Sequence, residues 1–281
     1  YGGVGDAGDP MLTLCSKQEV RAAAAAWRRE GATVGFVPTM GALHEGHLSL
    51  FRKSVADNAR TGVSIFVNPL QFGRGEDFDA YPRTPGEDLR ACEAAGTDLV
   101  FAPSAEEMYG AGGAAVTLVR QEPLERLLCG RNRPTHFRGV LTVVAKLFGI
   151  VRPDNAYFGR KDYQQFVMIR RMAAELDMPV AVHGLPTVRE PDGLAMSSRN
   201  SRLPPASRPA ALSLVQGLRV ARAAFARGER DPVRLRGVLS GPIRGFPAAA
   251  LDYAEIAHPE TLEPVRGAEA ASVAAIGPES P

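Results

Sequence analysis

The chain has 281 residues, 45% hydrophobic and 23% charged, and its 33 Lys plus Arg nearly balance 31 Asp plus Glu. That is enough for one large α/β domain or two unequal ones, and the balance argues against a general nucleic-acid binder while allowing a local basic pocket. Three cysteines (Cys15, Cys92, Cys129), with no C-x-x-C spacing, argue against a disulfide scaffold or zinc ribbon and favour a reducing cytoplasm.

The opening "YGGVGDAGDP" lacks the basic-then-apolar order of a signal peptide, and no strand precedes its glycines as a dinucleotide motif requires. Residues 1–12 therefore read as a flexible tail. "EVRAAAAAWRRE" is helical and stops at Gly31, and "TVGFVPT" reads as a buried strand. "HLSLFRKSVADNAR" returns to helical period, "TGVSIFVNP" is a second apolar run, "PGEDLRACEAAG" a helix and "TDLVFAPS" a third strand. A strand is expected at "AAVTLVR", then the helix "HFRGVLTVVAKLFGIV", the strand "NAYFG", the helix "DYQQFVMIRRMAAEL" and the extended "PVAVHGLPTV". Strands alternating with helices across short connections predict a Rossmann-like parallel sheet with helices on both faces, over residues 13–186. Past Ser201 the texture changes to a proline-marked long helix, a further helix and the strand-like "LDYAEIAHP"; with the boundary placed at about Thr187, residues 187–281 read as a smaller C-terminal α+β domain. No run approaches the roughly 20 apolar residues of a membrane span.

In such folds ligands sit beyond the carboxyl ends of the strands. "PTMGALHEGH", "NPLQFG", "FGRKD" and "REPDGLAMSSRN" all follow apolar runs, so they should gather at one rim. In "HEGH", His44 and His47 would share a helix face at an N-terminus that already attracts anions, and Gly46 would let a ligand approach the backbone. The bland alternative is that one histidine caps the helix and the other is exposed. A metal half-site is weaker, since the spacing is not H-E-x-x-H. Lys161 can reach phosphate as a mobile charge, Ser197, Ser198 and Arg199 suit a triphosphate, and Arg131, Arg133 and Arg138 form a basic stretch able to hold a carboxylate or phosphate. Taken singly, each of these is as readily a solvated loop. Asn68 and Gln71, beside Phe66 and Phe72, fit a small hydroxylated substrate. Gln164 and Gln165 point about 100° apart on a helix, so at most one faces the site.

As an ordered set, "PTMGALHEGH", "FVNPLQFG", "YPRTPGED", "RPTHFRGV", "FGRKDYQQ" and "REPDGLAMSSRN" resemble pantothenate synthetase (pantoate–β-alanine ligase) from about Val34 to about Pro264. That family is related to class I aminoacyl-tRNA synthetases, with an HxGH motif (here His44 to His47) and a KMSKS-like loop (here Met196 to Arg199).

The resemblance implies an ATP-dependent ligase that makes pantothenate through a pantoyl adenylate, with pantoate, β-alanine and ATP as substrates, Mg2+ accompanying ATP, and a homodimer. It places ATP on Met40, Gly41, Ala42, Leu43, His44, Glu45, Gly46, His47, Gly159, Arg160, Lys161, Asp162, Val188, Met196, Ser197, Ser198 and Arg199. Gln71 and Gln165 would hold pantoate, Gln71 also lying near β-alanine, with Asn68 beside them. Asp88, and less so Glu87, would touch the hydration shell of magnesium. His44, His47, Lys161 and Arg199 would offset the repulsion between a carboxylate and a triphosphate, with hydrogen bonding by His47 outweighing proton donation. Residues 187–281 would be the lid. Two departures stand out: Arg160 replaces the family's usual Glu beside the phosphates, and the sequence diverges after Gly277. A plain adenylyltransferase lacks support because the glutamines offer no acceptor-phosphate site, and an RNA-binding relative is disfavoured by the near-neutral charge.

Overall fold

The computed structural model describes residues 10–112, 117–246 and 249–278. Its main sheet holds six strands: β1 (Leu12–Leu14), β2 (Val34–Thr39), β3 (Arg60–Ile65), β4 (Leu99–Phe101), β5 (Asn155–Gly159) and β6 (Ala181–Leu185). Their order is β1-β4-β3-β2-β5-β6, with every pairing parallel. Successive side chains of a strand point to opposite faces, and in β2 to β5 both faces are buried, which is why those strands read as unbroken apolar runs.

The partition is visible residue by residue. Phe36, Leu99, Phe101, Ala156 and Phe158 join one core, packed by α1 (Lys17–Arg29), α5 (His136–Val151) and α6 (Tyr163–Glu175). Their neighbours Val37, Val100 and Tyr157 join the other, packed by α2 (Glu45–Asp57) and α3 (Pro85–Ala94). A short α4 (Ala105–Tyr109) follows β4. Helix α5 is buried almost all round, as an apolar helix must be.

The remaining elements are α7 (Arg208–Ala226), α8 (Pro232–Ser240), β7 (Leu251–Ala257) and β8 (Val273–Pro278). The last two strands form an antiparallel pair. Ala221, Leu235, Leu239 and Ile256 give this region a small core of its own, while Leu262, Tyr253 and Ala275 pack onto the larger one.

Two expectations differ from the structure, and a third falls mostly outside the described residues. The tail expected over residues 1–12 already enters the sheet at Leu12, the first residue of the strand Leu12–Leu14 that pairs with β4, whereas residues 1–9 lie outside the described set. The strand expected at "AAVTLVR" falls partly on residues outside that set, and Thr117–Arg120 form none. The chain is an ordinary strand through Gly277, which pairs with Tyr253, and of the divergent end residues 279–281 lie outside the described set.

The chain runs from β2 to β3 and β4 on one side and returns with β5 on the other. Thr39 and Gly159, at the carboxyl ends of β2 and β5, therefore flank a topological switch point, the usual place for a ligand crevice in an open α/β sheet.

Candidate active site

Beyond those strand ends lies a cavity of about 260 Å³. Its wall includes Met40, His44, Gly46 and His47 from the turn after β2, and Asn68 and Gln71 from the turn after β3. Gly159, Lys161, Asp162 and Gln165 come from β5 and the start of α6, and Val188 with Met196 to Arg199 from the segment after β6. The separated stretches do converge.

His44 is the N-cap of α2, with extended backbone (φ −141°, ψ 173°). Its Nδ1 accepts from the Gly46 N–H at 3.1 Å, and His47 Nδ1 accepts from the His44 N–H at 3.3 Å. This is a capping box made of imidazoles, their ring centroids 4.0 Å apart. An Nδ1 that accepts from an amide carries no proton, so in each neutral ring the proton is on Nε2. Burial, then the positive charge of Lys161, lowers the pKa of His44; burial, the His44 ring and Lys161 push His47 down to about 3. Both rings are thus neutral N–H donors at the N-terminus of α2, where the helix dipole also favours an anion. Gly46 is required by the cap itself, since a Cβ there would meet the His44 ring at 2.8 Å.

The turn before the cap is held from behind. Ala42 has φ +48°, an uncommon conformation for a residue with a side chain. Asp88 accepts from the Ala42 N–H at 3.0 Å and the Leu43 N–H at 2.8 Å, and is buried. Asp88 does not itself line the cavity, its carboxylate being engaged by the backbone, and neighbouring Glu87 is exposed. Gly41, Ala42, Leu43 and Glu45 also stay off the cavity wall, Glu45 pairing with Arg52 outside.

Lys161 lies 3.3 Å from Asp162. Loss of hydration beside the protein would by itself raise the pKa of Asp162, but the charge and hydrogen bond of Lys161, with the charges of His136 and Arg199, together outweigh it and the carboxyl stays below its usual range. Arg160 is exposed and lines a second cavity rather than the first. Ser198 donates to the Ala42 carbonyl at 2.9 Å, tying the serine-rich turn to the histidine turn across 156 residues. Arg199 forms a two-pronged pair with Asp77, both contacts 2.8 Å, and its guanidinium lies over Tyr81. Asp77 and Tyr81 were not singled out by sequence reasoning; their signal, acidic and aromatic residues in "GEDFDAYPR", is generic.

The glutamines behave as helix geometry demands. Gln164 is buried, donating to the Leu124 and Leu127 carbonyls, while Gln165 lines the cavity. Gln71 contacts Met40 Sδ and accepts from Asn68 at 3.0 Å. Asn68 also donates to the Gly139 carbonyl and accepts from Tyr109 at 2.6 Å, so it braces Gln71. Gly139 makes room for that brace, since a Cβ would strike the Leu70 carbonyl oxygen at 2.2 Å. Arg133, from the basic stretch, lines the cavity but is paired to Glu76. His136 lines it too, and sequence reasoning gave that residue no role.

The family model for pantoate-beta-alanine ligase matches residues 13–277. A pantothenate synthetase of Heliobacterium modesticaldum is 55% identical over 91% of this chain and 90% of its own length, and one of Geobacter sulfurreducens 49% identical over 95% and 93%. A crystal structure of pantothenate synthetase from Thermus thermophilus superposes with a TM-score of 0.89, at 44% identity and covering 96% of this chain and 95% of that one. The pantoate-beta-alanine ligase of Francisella tularensis, solved in complex with beta-gamma ATP and beta-alanine, superposes with a TM-score of 0.70 at 30% identity, covering 87% and 89%. The chain belongs to the pantoate–β-alanine ligase family, the ATP-using enzymes that make pantothenate.

Proposed function

We propose that this chain joins pantoate to β-alanine in two steps within one cavity. Pantoate's carboxylate attacks the α-phosphorus of ATP, giving pantoyl adenylate as pyrophosphate leaves. The amine of β-alanine then attacks the acyl carbon, and AMP departs with the electron pair of the broken C–O bond. The observation that carries this reading is the meeting of His44, His47, Lys161 and Ser197 to Arg199 with the uncharged Gln71 and Gln165 on one wall. The first set offsets phosphate charge; the second suits the hydroxyl and carboxylate of pantoate. His47 acts as a neutral donor whose hydrogen bond strengthens as charge grows on the phosphate, because a group with a pKa of about 3 carries no surplus proton near neutrality.

Magnesium would ride mainly on the phosphates and water, since among the described residues no three ligating side chains cluster. Asp162 is the carboxylate that lines the cavity and could reach its hydration shell. Residues 187–281 would act as a lid. Three free cysteines fit a reducing cytoplasm, and among the described residues no helix is long and apolar enough to cross a membrane. The homodimer rests on family resemblance and is open to light scattering. The test of the reaction is pyrophosphate–ATP isotope exchange that requires pantoate, followed by AMP release that requires β-alanine. Exchange without pantoate would reject the reading.

A further inference from the structure

A second cavity, of about 410 Å³, adjoins the first. Arg133, His136, Lys161, Asp162, Gln165 and Thr187 line both. It lies between the start of α6 and the segment made by α7, Tyr253 and β8, and most of its wall is apolar. Arg160 and Arg189 also line it, and neither has a carboxylate partner among the described residues. Guanidinium groups free of carboxylates in an apolar chamber suit a small molecule that carries a carboxylate.

His136 stands at the junction with a tautomer opposite to that of the other two histidines. Its Nδ1 lies 2.8 Å from the Gln71 carbonyl oxygen, which can only accept, so the ring proton is on Nδ1. Nε2 then holds a bare lone pair, and it has no hydrogen-bond partner among the described residues. Burial and the charge of Arg133 keep the ring neutral, its pKa down at about 4. The site thus offers donors at the phosphate end and an acceptor at the other.

We propose that β-alanine reaches the acyl carbon through the second cavity and that His136 Nε2 accepts the hydrogen bond, and then the proton, of its attacking amine. This rests on the adenylate reading given above. The incoming nitrogen is the uncharged amine; its lone pair forms the C–N bond and the C–O bond to AMP breaks with its electrons on the phosphate oxygen. The proton surplus on nitrogen passes to Nε2. The negative phosphate of AMP, close by in the occupied site, offsets the Arg133 charge that disfavours an imidazolium in the empty one. Glu76 and Asp162 also face His136 and act in the same direction.

The test is His136→Asn, whose side-chain amide can still donate to the Gln71 carbonyl but offers no acceptor at the Nε2 position. Pantoate-dependent pyrophosphate–ATP exchange should stay within about 3-fold of the parent chain, while pantothenate formation slows about 10²-fold, the lower end of general-base effects. Hydroxylamine, uncharged at neutral pH and needing less help with its proton, should trap the adenylate at nearly the parent rate. Equal loss in exchange and in amide formation would make His136 a mere support for Gln71 and overturn the proposal, as would an unchanged rate of amide formation. Failure of the parent chain itself to exchange would instead reject the adenylate reading.

Discussion

The wall made by residues 40–47 and the wall made by residues 187–202 face the same cavity, yet different forces hold them. The first is fixed by short-range, shielded contacts: a buried carboxylate on two backbone amides and two imidazoles that cap the helix they open. The second is tied by side chains near the surface, Arg199 and Arg202 to Asp77 and Arg208 to Glu190 and Asp192. Exposed ion pairs are worth little and are screened by salt. One wall is preorganised for charge that develops during reaction, and the other is cheap to move.

Removing a donor from the rigid wall should have the largest effect. His47→Ala is expected to slow pantoate-dependent exchange roughly 10²–10³-fold, as for other preorganised donors; a rate near that of the parent would dissolve the distinction between the walls. Acid should act through the same buried rings. His47 and His136 have folded pKa values of about 3 and about 4, below the ordinary 6.5, so the unfolded chain takes up their protons first as pH falls. Their contribution to stability is full above pH 6.5 and is lost between there and about pH 4 to 3, with proton uptake on unfolding approaching about two per molecule near pH 5. Urea unfolding across pH 4–7 measures this, and a flat dependence attributable to these rings would contradict it.

Asp88→Ala leaves two shielded N–H groups without acceptors and should lower stability by about 1.5–3 kcal/mol, read from urea unfolding. The smallest effect belongs to the other wall. Asp77→Ala should change stability by less than about 1 kcal/mol. By freeing the Arg199 fork for phosphate it should lower the KM for ATP, most clearly at low salt; a rise in KM would mean that Asp77 holds Arg199 in its working position.

Sequence patterns carried the sheet because both its faces are buried, and β2 to β5 read as apolar runs for that reason. Strand β1 escaped notice: three residues on a sheet edge, two of them exposed, make no such run. The histidines, Lys161 and the serine-rich turn were legible because their spacing relative to strand ends forces them to one rim, whereas the choice of Gln165 over Gln164 came from the family resemblance. Sharing of burdens was not. Asp88 sits in the first turn of α3, where an acidic residue is expected on electrostatic grounds alone, and no pattern tells that its carboxylate reaches the backbone of residues 42 and 43. The pairing of Arg199 with Asp77, 122 residues away, is likewise a product of the fold. The two readings of "HEGH", cap or site, proved compatible: capping is what sets which ring nitrogen carries the proton.

The claim at the centre is that three neutral rings have tautomers assigned by their backbone partners. Long-range 1H–15N correlation spectra of the histidine side chains at pH 7 test it most directly. His44 and His47 should show the Nε2–H form and His136 the Nδ1–H form, none of them cationic. An imidazolium at His47, or the same tautomer at all three, would contradict the account.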